Sequence, residues 1–259
     1  MRTLRPYRAA RYCFSACGLE LGAARHTDSA PITSGTDGGR AYALRNAIQS
    51  LSDLVGVVHF FPGSSVFSLG TAACNLACQF CQNWDTAKAR DLDRLTDQAS
   101  PHAIAQAARS HGAKSVAFTY NDPVAFLEYA MDTADACHDM GLKTVAVTAG
   151  YIHDVPRREF FAKMDAAKID LKGFAEGFYL GLCGGHLQPV LDTLAYVHHE
   201  TDCWLEITNL LIPGRNDSDA EVGGLSKWVA TELGRDVPLH FSTFHPNWNL
   251  VCRTTASQG

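Results

Sequence analysis

The stretch Val66-Phe67-Ser68-Leu69-Gly70-Thr71-Ala72-Ala73-Cys74-Asn75-Leu76-Ala77-Cys78-Gln79-Phe80-Cys81-Gln82-Asn83-Trp84 carries two signals in succession. Its first five residues form a short apolar, β-branched run closed by glycine, the pattern of a strand. The residues after it place Cys74, Cys78 and Cys81 in one loop at that strand's carboxyl end. Downstream the same rhythm repeats. Strands are expected at 66–70, 115–119, 143–148, 167–171, 204–208 and 238–242, with helices near 101–111, 123–139, 155–164, 187–199 and 218–233. Pro101 after Ser100 and Pro123 after Asp122 mark two helix starts, and Gly112 and Gly141 two helix ends. Short strands alternating with amphipathic helices imply parallel strands joined by helical crossovers. Six such units are too few for a closed eight-stranded barrel, so the expected fold class is α/β, an open, partial six-stranded parallel barrel.

Residues 63–251 are expected to form this barrel, preceded by an irregular N-terminal segment, 1–62, and followed by a tail, 252–259. Within the first segment, Ser34–Gly39 reads as a turn cluster and Ala41–Leu54 as a short helix. Arg2, Arg5, Arg8 and Arg11 precede the first acid, Glu20; this resembles an organellar presequence, but the segment is short and contains Pro6, so a plain basic arm is expected.

Composition narrows the function classes. Twenty-two Lys and Arg face 27 Asp and Glu, a net charge of −5, which gives no general basic field for nucleic acid. Charged and turn residues interrupt every apolar run before the roughly 18 residues of a membrane span are reached. A cytoplasmic protein with neither a nucleic-acid nor a membrane partner is expected. Nine cysteines are not needed as disulfide staples in 259 residues. Cys137, Cys183, Cys203 and Cys252 stand singly, as small buried apolar residues commonly do.

The trio is different. A structural zinc site takes four protein ligands, and no second cysteine pair lies nearby to complete one. An iron–sulfur cluster held by three thiolates would keep one iron open to a small molecule. Zinc and iron–sulfur both remain candidates on spacing alone.

Cys-x3-Cys-x2-Cys, with Phe80 before the last cysteine and in the loop after the first strand, resembles the signature of the radical S-adenosylmethionine (radical SAM) superfamily. The longer string from Phe61-Pro62-Gly63-Ser64 to Asp85 is similar to one branch, the AmmeMemoRadiSam-system proteins, relatives of the pyruvate formate-lyase activating enzymes. The likeness runs over residues 60–250. Against it the chain is short at its C-terminus, stopping at Gly259, and divergent at its N-terminus, where Cys13 and Cys17 stand.

The resemblance implies a [4Fe-4S] cluster on Cys74, Cys78 and Cys81, with S-adenosylmethionine (SAM) contacted by Phe80, Gln82, Asn121, Asp122, Thr148, Gly150, Asp170, Lys172, Glu206 and His240. Read as residues, several of these have plainer roles. Asp122 also suits a helix N-cap, Gly150 a turn, and Asp170 with Lys172 a local ion pair. Glu206 lies inside an apolar strand, where a carboxylate needs partners, and a cofactor-side role is expected for it. The implied activity is reductive cleavage of SAM for hydrogen abstraction, with a flavodoxin- or ferredoxin-type electron donor and either a glycyl-radical protein or a small molecule as substrate. The rival readings are a [4Fe-4S] carrier without SAM turnover and a zinc-binding interaction scaffold.

Overall fold

The computed structural model describes residues 45–50, 59–88, 99–245 and 249–250. The arginine-rich start, Cys13, Cys17, the Ser34–Gly39 cluster and the tail with Cys252 lie outside the described residues. One seven-stranded sheet runs in chain order: β1 (Arg45–Ser50), β2 (Ser65–Gly70), β3 (Ser115–Phe118), β4 (Lys143–Thr148), β5 (Ala166–Asp170), β6 (Trp204–Leu211) and β7 (Leu239–Thr243). Strands β2 to β7 are parallel, each beside its sequence neighbour, and the sheet does not close. The six expected strands are therefore present, each within a few residues of its anticipated bounds.

The expected helix over 41–54 is corrected. Its described part, Arg45–Ser50, is a strand that pairs antiparallel with β2, Arg45 opposite Gly70 and Ser50 opposite Ser65. Pairing to an available sheet edge overrides the helix-tolerant residues of Arg-Asn-Ala-Ile-Gln-Ser, because strand formation is decided by partners more than by intrinsic preference.

Helix α1 (Trp84–Ala87) directly follows the cysteine loop, and helices α2 (Pro101–Ser110), α3 (Leu127–Asp139), α4 (Asp154–Phe161), α5 (Gln188–Glu200) and α6 (Asp219–Trp228) cover the outside. Ser100 caps α2, its hydroxyl accepting from the Ala103 N–H at 3.2 Å, while Gly112 (φ 70°) ends the turn beyond it. Residues of alternating parity on the strands divide the interior. Phe67, Leu69, Val116, Phe118 and Ile169 meet Ile104, Phe126, Phe160 and Leu194 from the helical layer, all buried. Val66, Ala117, Val145 and Ala166 form a second, smaller cluster inside the barrel, against which Phe60 packs. This apolar plug closes the amino end of the barrel and leaves the carboxyl end for polar side chains.

Candidate radical SAM cofactor site

The cysteine loop is shaped by its neighbours. β2 ends at Gly70, and a Cβ there would lie 2.1 Å from the Thr119 carbonyl oxygen, so only glycine permits the approach to the end of β3. Asn121, just past β3, uses its whole carboxamide on the loop's first residues. Its Oδ1 accepts the Thr71 N–H at 2.7 Å, and its Nδ2 donates to Thr71 Oγ1 (3.1 Å), Ala72 O (3.2 Å) and Ala73 O (2.7 Å). Ala73 is held there in a left-handed conformation, φ 71°.

The loop's far side rests on the helical turn after β5. The Ala77 and Gln79 N–H groups donate to the carbonyls of Cys183 (2.8 Å) and Leu182 (2.9 Å). Packing is close here as well: a Cβ on Gly185 would be 2.7 Å from Leu76 Cδ2. Asn75 Nδ2 donates to Tyr151 O at 2.6 Å, and Asn83 Nδ2 to Tyr120 O at 2.8 Å, tying the loop to the ends of β4 and β3.

Between this loop and the strand ends lies a cavity of about 230 Å³. Cys74, Cys78, Cys81, Phe80 and Gln82 line it from the loop, Asn121 and Asp122 from beyond β3, Thr148 from β4, and Asp170 and Lys172 from β5 and its extension. Lys168, Thr208 and Ser242 are also among the lining residues. The Thr208 hydroxyl is buried without a hydrogen-bond partner, an unfilled polar position of the kind a bound polar group would satisfy.

The sequence profile of the Radical SAM superfamily matches residues 69–222, from the end of β2 into α6. The chain belongs to the radical SAM superfamily. It is 34% identical over 193 residues to uncharacterized protein MJ0808 of Methanocaldococcus jannaschii, a match that covers 74% of this chain and 57% of that protein. The chain thus spans little more than half the length of that curated relative. The crystal structure of Streptococcus suis SuiB is similar in fold, with TM-score 0.53 and 16% identity over 71% of this chain and 40% of SuiB. SuiB bound to the precursor peptide SuiA gives TM-score 0.52 and 15% identity, covering 67% of this chain and 37% of that one.

The charges of this radical SAM site are mutually dependent. Burial opposes the ammonium of Lys172, but Asp170, 3.1 Å away, and Cys78 outweigh it and hold its pKa well above the usual value. Burial likewise opposes the Asp170 carboxylate, and Lys172 and Lys168 overcome that to keep its pKa low. Cys78 is drawn down to about 7 by a hydrogen bond from Cys183, which is pushed up in turn. Burial and Asp122 lift Cys74 to about 11, and burial together with Cys78 raises Cys81. One thiolate is thus accessible near neutrality while its two neighbours favour the thiol.

Asp122 takes the capping role. Its Oδ1 accepts the Val124 N–H at 3.1 Å, and its oxygens also receive the Thr148 hydroxyl (2.9 and 3.1 Å) and the Ala149 N–H (2.7 Å). Burial still raises its pKa. Gly150 is not among the cavity-lining residues; its φ of 66° turns the chain where a Cβ would come 2.9 Å from Ile169 Cγ2.

Glu206 and His240, expected on the cofactor side, lie apart from the cysteine cavity. Neither lines the cavity. Glu206, the third residue of β6, is fully buried near the amino end of the barrel, where it accepts the His59 and Phe60 N–H groups and pairs with His240 Nε2 at 2.9 Å. Three features escaped the sequence reading. Lys168 was discoverable, since it alternates with Asp170 on one strand face. Ser242 and the contact between Cys183 and Cys78 have no local signature.

Proposed function

We propose that the chain is a SAM-cleaving radical enzyme whose Cys74, Cys78 and Cys81 hold a [4Fe-4S] cluster. The observation that carries this is the convergence of the cysteine loop, the Asp170–Lys172 pair and the unpartnered Thr208 hydroxyl on one cavity at the carboxyl end of the sheet. The donor set suits iron and sulfide: soft thiolates, three in number, leaving one metal position for another ligand. A single tetrahedral zinc would draw sulfurs to about 3.8 Å of one another, given a Zn–S bond of about 2.3 Å. Among the described residues, the group of three His, Cys, Asp or Glu ligand atoms within 4.8 Å of one another is His59, Glu206 and His240.

A [4Fe-4S] cluster held by Cys74, Cys78 and Cys81 would supply the electron for reductive cleavage of SAM and so the means of hydrogen abstraction from a substrate. The protein's residues do the remaining work. Lys172 offers an ammonium to the carboxylate of SAM, a charge-assisted hydrogen bond, and Asp170 offers an acceptor to its ribose. The Thr208 hydroxyl gains the partner it lacks. Phe80, buried beside Phe178, presents an apolar surface toward the adenine. Cluster loading requires thiolates, so it releases protons from Cys74 and Cys81 and strengthens as pH rises.

The family resemblance extends the proposal to a backbone glycine of a protein partner as hydrogen donor. Along the open side of the sheet β7 presents Phe241, Ser242 and Thr243 to solvent, and Ser242 also lines the cavity, which gives a peptide loop a path inward.

The test is anaerobic reconstitution with iron and sulfide, then dithionite and SAM. A brown protein that forms 5′-deoxyadenosine, and a Cys78→Ala variant that holds neither colour nor acid-labile sulfide, are expected. A cluster without 5′-deoxyadenosine would favour the carrier reading, and zinc without labile sulfide would overturn both. A glycyl-type EPR signal in an added partner would identify the protein substrate; SAM cleavage without it would point to a small molecule.

A further inference from the structure

His59, Glu206 and His240 form a second cluster, at the opposite end of the barrel from the cysteines. Their ligand atoms all lie within 4.8 Å of one another. Glu206 is completely buried, yet its two oxygens are used differently. Oε1 accepts three N–H groups, from His59 (2.9 Å), Phe60 (3.2 Å) and the Trp204 indole (3.0 Å). Oε2 faces two imidazole nitrogens, His240 Nε2 at 2.9 Å and His59 Nδ1 at 3.4 Å. A carboxylate with one oxygen fixed by outer donors and the other presented to two imidazoles is the arrangement in which outer-shell hydrogen bonds orient a metal ligand.

From these contacts we infer that His59 Nδ1, Glu206 Oε2 and His240 Nε2 bind a divalent cation of the zinc type. With metal–ligand bonds of about 2.0–2.1 Å, the edges of a tetrahedral site are about 3.3 Å long. The two distances to Oε2, 2.9 and 3.4 Å, bracket that value. The longer one exceeds an ordinary hydrogen bond of about 2.7–3.2 Å, so hydrogen bonding alone accounts poorly for His59. The two rings stack with centroids 5.5 Å apart, and the His59 side chain, 52% exposed, has room to close the third edge. Two imidazoles and a carboxylate select zinc over the hard cations magnesium and calcium. In a zinc site with three protein ligands the fourth position is taken by water.

The cation has a structural task. It joins the segment entering β2 to β6 and β7, strands on the far side of an open sheet, and so ties the barrel floor where Phe60 plugs it. This inference is independent of the cysteine site.

The experiment uses the full chain, untagged, stripped with chelator and given zinc chloride alone. Metal content after gel filtration and zinc K-edge absorption are measured for the parent and for His59→Ala, His240→Ala and Cys78→Ala. The parent and Cys78→Ala should each keep one zinc with only nitrogen and oxygen neighbours at about 2.0–2.1 Å. His59→Ala and His240→Ala should bind at least tenfold more weakly. His59→Ala removes a half-exposed ring, so it stays folded and informative even where His240→Ala does not; far-UV circular dichroism checks this. Equal zinc affinity in His59→Ala and the parent, a sulfur shell at about 2.3 Å, or no uptake by the parent would each overturn the site.

Discussion

Replacing Asn121 with alanine tests whether the cysteine loop is held by the protein itself. The substitution leaves the Thr71 N–H buried without an acceptor, at a cost of about 1–3 kcal/mol. It also removes the Nδ2 contacts to Thr71, Ala72 and Ala73; two hydrogens serve those three acceptors, so they count as about two bonds of roughly 0.5–1.5 kcal/mol each. Ala73, no longer held at φ 71°, recovers about 1–2 kcal/mol by relaxing, which offsets part of the loss. The net is about 2.5 kcal/mol, a sizeable share of a typical stability of roughly 5–15 kcal/mol. With a urea dependence near about 3 kcal/mol per molar for a chain of this size, the unfolding midpoint of the metal-free protein should fall by about 1 M. Equilibrium urea unfolding followed by far-UV circular dichroism measures it, and iron per chain after reconstitution should fall in parallel. An unchanged midpoint accompanied by lost SAM binding would refute the reasoning, since Asn121 would then act on the ligand and not on the loop.

Gly70→Ala forces a Cβ against the Thr119 carbonyl and should lower the stability read from the urea midpoint by at least about 1–3 kcal/mol, roughly the cost of overpacking; parent-like stability would mean that β2 and β3 separate easily. Lys172→Met deletes the charge proposed to partner the SAM carboxylate, a contact worth about 1.5–3 kcal/mol, so calorimetry on the cluster-loaded protein should show SAM binding about 10- to 100-fold weaker. Unchanged affinity would remove Lys172 from the site. Burial disfavours the Asp165 charge, but Lys143 at 2.6 Å, the Thr144 N–H at 2.9 Å and His138 at 2.9 Å overcome it and hold its pKa below the usual carboxylate range. A depressed folded-state pKa contributes stability above the unfolded value of about 3.9, and that stability is lost as pH falls through the lower folded value. Acidification below about pH 4 should therefore weaken the parent more steeply than Asp165→Asn; parallel slopes would count against the cluster.

Much of this architecture is legible because its signals are local. The inner strands carry apolar runs that need no partner to be recognised: Val145-Ala146-Val147 and Val116-Ala117-Phe118 are apolar on both faces and lie between two neighbouring strands. The cysteine spacing is equally local. What escaped depends on long-range geometry. Arg45–Ser50 becomes a strand only because β2 offers an edge. Glu206 announced correctly that a buried acid needs partners, but depth along the barrel is set by where its strand begins and ends. The expected strand, 204–208, put Glu206 at the middle, whereas β6 continues to Leu211 and leaves it near the floor. Asp170, the last residue of β5, lies at the mouth for the same reason. Asn121 lines the cavity as expected of a ligand contact, but nothing in its sequence neighbourhood shows that its carboxamide also meets residues 71–73.

The hydrogen bonds that fix Thr71–Ala73, Ala77 and Gln79 involve only amide groups of the polypeptide and the Thr71 hydroxyl, so the loop behaves as a mould whose form precedes its filling. The entropy of arranging the thiols is spent during folding and not again at each loading. A centre that oxygen strips of its inorganic contents would keep its contour, and maintenance would consist of resupplying iron and sulfide to an intact receptacle.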